Sequence, residues 1–387
     1  MVNYLLATEE QKDLAMGARK ILEKELAPRL AELEETETFP MDVLKTLANA
    51  GYYCMEVPEE WGGLGLDFVT RCLVYEEMAK IDAGFTFSFH ASPWEYILHT
   101  ALPLDVKKDW VAKCIAGDMI GTMGLTEPDA GSDALAMRTS AVKDGNEWVL
   151  NGTKCFISNS PLADFLCIVA YTDKSLGPRG TTMFLLEKGM PGLSIGKKEN
   201  KMGLRLSPTA EVVMQDVRVP EDHIVGKVGE GFKHAMSSIT EARVSTLVTA
   251  LGLAQAAVDH AVKYAKQRRQ GGKRIIDHQG LGFLIADMQT RVDAARGLIY
   301  YAANAIDKGI NIGTLSSEVK IFVSEMAMSV TTDAVQVLGG YGYMKDYPVE
   351  KLMRDAKIYA IFEGTNQINK HTIAKAFAGK DPEAVKK

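Results

Sequence analysis

At about Ile120 the spacing of apolar residues changes from the period of a helix to that of strands, and at about Gly231 it changes back. A chain built this way cannot wind a sheet of alternating β-α units, because no helix separates its strands. Before the change, Leu14, Ala18, Ile21, Leu22 and Leu26 recur every three or four residues behind Thr8-Glu9-Glu10-Gln11, whose spacing is that of a capping box. A second helix is predicted after Pro40 and ended by Gly51, and the turn Trp61-Gly62-Gly63-Leu64-Gly65 leads to Asp67, the expected N-cap of a helix running to about Lys80. In the middle block, Asp144-Gly145-Asn146 and Asn151-Gly152 read as hairpin turns. Residues 165–171, 182–186 and 211–219 read as strands, the last ending at Pro220. Six or so such strands imply an antiparallel sheet or barrel. In the last block Val319, Phe322, Val323, Met326, Ala327 and Val330 form an apolar stripe, and Gly339-Gly340 stops that helix. The expected fold is α+β in three domains: helical over 1–119, a β-barrel or sandwich over 120–229, and a helical bundle over 230–387.

Composition narrows the partners. A net charge of −6 argues against nucleic acid, whose phosphates call for basic faces. Five cysteines (Cys54, Cys72, Cys114, Cys155, Cys167) form no CxxC pair and no metal pattern with histidine, so buried thiols and no metal site are expected. Glu9, Glu10 and Asp13 leave no cationic leader region, and residues 244–258 carry too many polar side chains for a membrane span. A cytoplasmic protein is expected.

Four segments carry chemistry. Glu363 follows Ile358-Tyr359-Ala360-Ile361-Phe362 and precedes Gly364, a setting in which desolvation raises a carboxylate toward the range of a general base. The structural alternative is a carboxylate at the start of a helix capped by Thr365 or Asn366. Residues 124–133 form a loop of small and hydroxyl residues that either offers N–H and O–H groups to a flat polar ligand or is simply a turn; no P-loop lysine follows it. Lys154-Cys155-Phe156-Ile157-Ser158-Asn159 places an aromatic two residues before a hydroxyl. Gln336-Val337-Leu338-Gly339-Gly340-Tyr341-Gly342-Tyr343 ends a helix in glycines that either admit a phosphate or act as a C-cap.

Together and in this order these segments resemble the acyl-CoA dehydrogenase family of flavoenzymes, over nearly the whole chain. Residues 124–136 and 336–355 are similar to the family's two signature patterns, and Lys201-Met202-Gly203-Leu204-Arg205-Leu206-Ser207 with Asp216-Val217-Arg218-Val219-Pro220 to its β domain. The resemblance implies a C-terminal four-helix bundle, non-covalent FAD and a thioester of coenzyme A. Glu363 matches the base that removes the α-proton while a hydride leaves the β-carbon for flavin N5. The backbone N–H at Glu363 and a ribityl hydroxyl polarise the thioester carbonyl. By the same resemblance Leu125, Thr126, Phe156, Ile157 and Ser158 lie along the flavin; Arg268, Gln279, Gln336, Gly339 and Gly340 hold the pyrophosphate and adenine of FAD; Thr365 and Gln367 also touch FAD; and Ser132, Arg243 and Gly364 meet the acyl-CoA. A homodimer or dimer of dimers with shared FAD sites is implied, as is an electron-transfer flavoprotein as electron acceptor.

Some positions depart from the pattern. Phe156 and Phe362 replace the common tryptophan and tyrosine, Gly271 stands where phenylalanine is normal, and Lys370 where arginine often stands. Ala242 occupies the place from which some branches take their base, which leaves Glu363 without a rival there. No Lys or Arg lies between Lys80 and Lys107, which speaks against a dicarboxylic acyl group. Phe85, Phe87, Phe89 and Trp94 favour a short, branched or ring-shaped acyl group, or are core; His90 and Glu95 are polar groups of undecided role. The same residues would serve an enoyl-CoA reductase running in reverse. A non-catalytic scaffold is the reading from another class, and an NAD-dependent enzyme lacks its glycine fingerprint.

Overall fold

The computed structural model describes residues 7–379. Seven helices come first: α1 (Glu9–Glu25), α2 (Leu30–Thr36), α3 (Met41–Asn49), α4 (Phe68–Ala79), α5 (Ala83–His90), α6 (Glu95–Leu98) and α7 (Leu104–Ile115). Their starts follow the local chemistry. Thr8 and Gln11 form the reciprocal capping box, Asp67 Oδ1 accepts the Thr70 N–H, and Asp82 Oδ1 accepts the Phe85 N–H.

Eight strands then form one sheet: β1 (Gly121–Gly124), β2 (Ser140–Asp144), β3 (Glu147–Ser158), β4 (Phe165–Tyr171), β5 (Thr181–Glu187), β6 (Leu193–Lys198), β7 (Thr209–Pro220) and β8 (Ile224–Val225). The order is β6-β7-β3-β2-β4-β5-β8, and β1 pairs with β4. Most pairings are antiparallel, as the short turns require, but β1–β4 and the Ser140–Tyr171 bridge of β2–β4 are parallel. Asn151-Gly152 is not a hairpin turn. It lies inside β3 opposite a bulge in β7 at Asp216, whose N–H donates to Asn151 Oδ1. A turn signature cannot be told from a bulge by sequence, since both use residues tolerant of unusual dihedrals.

Every residue of β4 is buried. Phe165, Cys167 and Val169 join the helical core, whereas Leu166, Ile168 and Ala170 join a smaller core inside the β domain. A continuous apolar run is what a strand covered on both faces needs.

The chain ends in α8 (Gly231–Gln267), a ribbon of β9 (Arg269–Gln270) and β10 (Lys273–Arg274), then α9 (Gln279–Asp307), α10 (Gly313–Leu338), α11 (Val349–Ala356) and α12 (Asn366–Ala378). Residues 244–258 of α8 are buried throughout. By length and composition α10 could cross a bilayer; here it lies against α8, α9 and α12, with Val319, Val323, Ala327 and Val330 fully buried. Phe322, expected on that stripe, is 43% exposed.

One buried charge cluster ties the three blocks together. Lys351 Nζ of α11 donates to Asp82 Oδ2 (2.6 Å) and Asp355 Oδ2 (2.5 Å), and Asp355 Oδ1 accepts the N–H of Leu204 from the β domain (2.7 Å). Glu34 of α2 completes it, 3.7 Å from Lys351 and 3.1 Å from Arg354 Nη1. Burial alone would discharge Lys351, but Asp355, Asp82 and Glu34 outweigh it and hold the ammonium above its usual range. Lys351→Met would leave two fully buried carboxylates without their counter-ion. It is expected to cost about 3–5 kcal/mol in urea unfolding; a loss below about 1 kcal/mol would contradict this role.

Candidate active site

The segment after α11 makes one 3₁₀ turn, Lys357–Ala360, and reaches Glu363. Tyr359, fully buried, shares a 2.6 Å hydrogen bond with Thr249 of α8, and its ring meets Phe362 edge-on at 5.2 Å. The other face of Phe362 lies 5.0 Å from Phe87 of α5. Aromatic rings from two blocks therefore fix Phe362, the residue before Glu363.

The backbone here is unusual. Glu363 has φ +55° and Gly364 φ +80°, two consecutive left-handed residues. A non-glycine residue in that region costs on the order of 1–3 kcal/mol and persists only where its surroundings fix it. They do so here: Arg243 Nε of α8 donates to the Glu363 carbonyl (2.9 Å), and Asn369 Nδ2 donates to the carbonyls of Gly364 (2.9 Å) and Thr365 (3.0 Å). A side chain at Gly364 would press on Arg243 Nη2, 3.3 Å from its Cβ. Of the two candidate caps it is Thr365 that serves α12, accepting the Ile368 N–H. Among the described residues the Glu363 N–H donates to no protein acceptor.

Burial raises the Glu363 carboxyl above its ordinary range, against the pull of Arg243 and Lys320. Lys320, fully buried on α10, donates to Asn366 Oδ1 (2.9 Å), and burial brings its ammonium down to about 8 despite the opposing field of Glu363. Sequence reasoning missed Lys320. Its signal was a lysine set between Val319 and Val323 in an otherwise apolar stripe.

In the β domain, Leu125 and Thr126 follow β1 and are half-buried. Their carbonyls accept from Lys154 Nζ (3.1 Å) and the Cys155 N–H (2.9 Å). Glu127 fixes the loop, with Lys154 Nζ at 2.8 Å and the N–H groups of Arg138 and Thr139 on its oxygens. Phe156 is the extra residue of a bulge in β3, with φ +57° and its side chain 65% exposed. Ile157 turns into the smaller core, so only its backbone faces outward, and Ser158 is half-buried. Ser132 is exposed.

A cavity of about 450 Å³ lies where α8 ends and α10 stops, lined by Tyr264, Arg268, Gln270, Gly339, Gly340 and Tyr341 among others. Its cation is Arg268, with the guanidinium 5.8 Å over the Tyr341 ring. A Cβ on Gly339 or Gly340 would meet nothing within 4 Å, so the backbone there is open to a ligand. Gln336 is exposed one residue before the cavity-lining Val337, whereas Gln279 begins α9 outside the lining. Gln367 is exposed in the first turn of α12. Gly271, the substitute for phenylalanine, joins β9 to β10 with Gly272, at φ +56° and +78°, a two-residue turn that an aromatic side chain would strain.

The structure thus assembles Glu363, Gly364, Thr365 and Arg243 at one place. It sets Leu125, Thr126, Phe156 and Ser158 along the edge of β1 and β3, and Arg268, Gly339 and Gly340 around one cavity. These features fit FAD: an unpacked aromatic at a strand edge suits its flat ring, and a guanidinium beside open glycines suits its pyrophosphate.

Comparison with known proteins agrees. The family described as acyl-CoA dehydrogenase matches over all three of its parts: the N-terminal domain at residues 8–118, the middle domain at 122–217 and the C-terminal domain at 229–378. An acyl-CoA dehydrogenase of Bacillus subtilis is 41% identical over 374 residues, covering 96% of this chain and 99% of that one. A chain solved in work on the electron transferring flavoprotein of Acidaminococcus fermentans superposes with a TM-score of 0.93 at 41% identity, covering 97% and 99% of the two chains. Butyryl-CoA dehydrogenase from Megasphaera elsdenii does so with 0.92 at 38% identity, covering 96% and 99%. On its sequence, its fold and these matches, the chain belongs to the acyl-CoA dehydrogenase family of FAD-dependent enzymes.

Proposed function

We propose that this enzyme removes hydrogen from the α and β carbons of a short, branched or ring-shaped acyl-CoA thioester, with Glu363 as the base that takes the α-proton. The observation that carries this reading is a carboxylate with a raised pKa, held in left-handed backbone by Arg243 and preceded by Phe362, whose ring packs on Phe87. A base poised above the ordinary carboxylate range is better matched to a weakly acidic α-proton. The free Glu363 N–H is the donor for the thioester carbonyl, where charge develops as the proton leaves. Arg243 and Asn369 keep that N–H and the carboxylate in register by fixing three successive carbonyls. When bound, FAD supplies the acceptor for the hydride of the adjacent carbon. Ser132, exposed in its loop, and Gly364 are the contacts for the thioester. In reverse, as an enoyl-CoA reductase, the same Glu363 would return the proton.

An electron-transfer flavoprotein as electron acceptor is supported by the similarity to the Acidaminococcus fermentans chain. A homo-oligomer, in the family's manner a dimer of dimers, is supported by Phe283, Tyr301, Tyr343 and Phe377, large apolar side chains left exposed on the C-terminal block. Five buried free thiols fit a reducing cytoplasm.

Glu363→Gln should retain FAD and bind acyl-CoA while losing roughly 10²–10⁴-fold in kcat. A variant that reduces its flavin at the wild-type rate would remove Glu363 from this role. A second expectation concerns pH. The base works deprotonated, so kcat/KM should rise as pH rises through its pKa and fall below it. Lys320 lowers that pKa, and Lys320→Met should therefore shift the ascending limb to higher pH. A pH profile unmoved, or moved to lower pH, would contradict the coupling.

A further inference from the structure

The cavity at the ends of α8 and α10 has a wall that a pyrophosphate does not need. Arg268 and the open backbone of Gly339 and Gly340 answer to an anion, but Tyr264 and Tyr341 line the same space. Aromatic rings offer a flat ligand a face to stack on. These rings are braced: the centres of Tyr264, Tyr341 and Tyr347 stand 5.3 to 6.3 Å apart, with Tyr347 edge-on to Tyr264. A Cβ on Gly342 would lie 2.4 Å from the Val335 carbonyl oxygen, so only glycine lets the 3₁₀ turn Gly339–Tyr343 sit this close to α10. Tyr264 is half-buried, whereas Tyr341 is 47% exposed.

What stands over the Tyr341 ring is the Arg268 guanidinium, 5.8 Å from its centre. Such a contact at an exposed site is weak, and a guanidinium gains more from a charge-assisted bond to phosphate. The hairpin beside the cavity supplies no ring of its own. Its tip is Gly271-Gly272, in left-handed backbone, and the His278 ring already fills the space beside it, 3.4 Å from where a Gly271 Cβ would stand. His278 Nε2 is held there, 3.0 Å from the Gln270 carbonyl oxygen. FAD carries an adenine one ribose away from its pyrophosphate, and Tyr341 is the exposed ring that this cavity offers to it.

We infer that Tyr341 is the stacking platform for the adenine of FAD: the Arg268 guanidinium leaves the ring for the pyrophosphate, the base takes its place, and Tyr341 thereby selects FAD over FMN. This rests on the FAD assignment and is independent of which acyl group the enzyme oxidises.

The test strips the full-length protein of flavin and titrates it with FAD and with FMN, reading binding from flavin fluorescence. Tyr341→Leu keeps the bulk of the side chain without its ring. It should raise the Kd for FAD roughly tenfold or more, as the loss of one stacked base does, and leave the Kd for FMN unchanged. Tyr341→Phe, which keeps the ring, should bind both flavins as the wild type does. An unchanged Kd for FAD in Tyr341→Leu, or an equal loss for FAD and FMN, overturns the assignment, since a merely structural tyrosine would not separate the two. Tyr341→Gln suits the exposed position and serves as the second variant if Tyr341→Leu does not fold, with the same outcomes expected. Calorimetric titration with ADP, which has the adenine and pyrophosphate but no flavin, gives an independent reading. Its Kd should rise roughly tenfold in the ring-less variant while that of inorganic pyrophosphate stays put. An ADP affinity unmoved by loss of the ring rejects the platform.

Discussion

The geometry of this enzyme depends on a lysine buried among carboxylates. Lys351 joins Asp82, which caps α5, to Asp355, which receives the backbone N–H of Leu204 from the β domain. Buried charges of this kind add little net stability over a well-packed apolar core, but their directionality admits one arrangement and penalises others. Here that arrangement sets α5 and α11 against each other, and the two carry Phe87 and the approach to Phe362. The position of the Phe87–Phe362 pair follows from the position of the ion cluster.

From α11 the chain reaches Glu363 in a few residues, and each step is held by a contact across the interior. Tyr359 is tied to Thr249, the Phe362 ring to Phe87, and the Glu363 carbonyl to Arg243. The left-handed pair Glu363-Gly364 is costly backbone that these contacts hold in place. Burial raises the carboxyl, and the two cations nearby limit that rise. The result is a carboxyl that holds its proton more tightly than a surface carboxylate does, as the proposed role of a base asks.

Much of this was legible in the sequence, for reasons that are local. The helix–strand–helix order, the Thr8–Gln11 capping box and β4 depend on neighbours within one element, and the structure contains them as read. The Glu363 setting was legible too, because five residues of its own turn are apolar or aromatic. What could not be read depends on distant pairing. Asn151-Gly152 has the composition of a turn, and only the pairing with β7, bulged at Asp216, keeps it inside a strand. The parallel pairing of β1 with β4 joins Gly121 to Phe165 across the whole β2–β3 segment, so neither strand shows it locally. Lys320 acts on a carboxyl far from it in sequence, so it carries no local signature of what it faces. Arg243 matched a family position near coenzyme A, and its Nε is engaged with the backbone of Glu363.

The central claim is that the Glu363 constellation takes hydrogen from a thioester once FAD is in place. The most direct measurement is the visible spectrum of the FAD-loaded protein, recorded anaerobically while acyl-CoA thioesters of short, branched and cyclic type are added singly. The account expects the oxidised-flavin band to bleach with at least one of these classes. An enzyme that holds FAD and binds the thioesters, yet keeps its flavin oxidised with all of them, would contradict it.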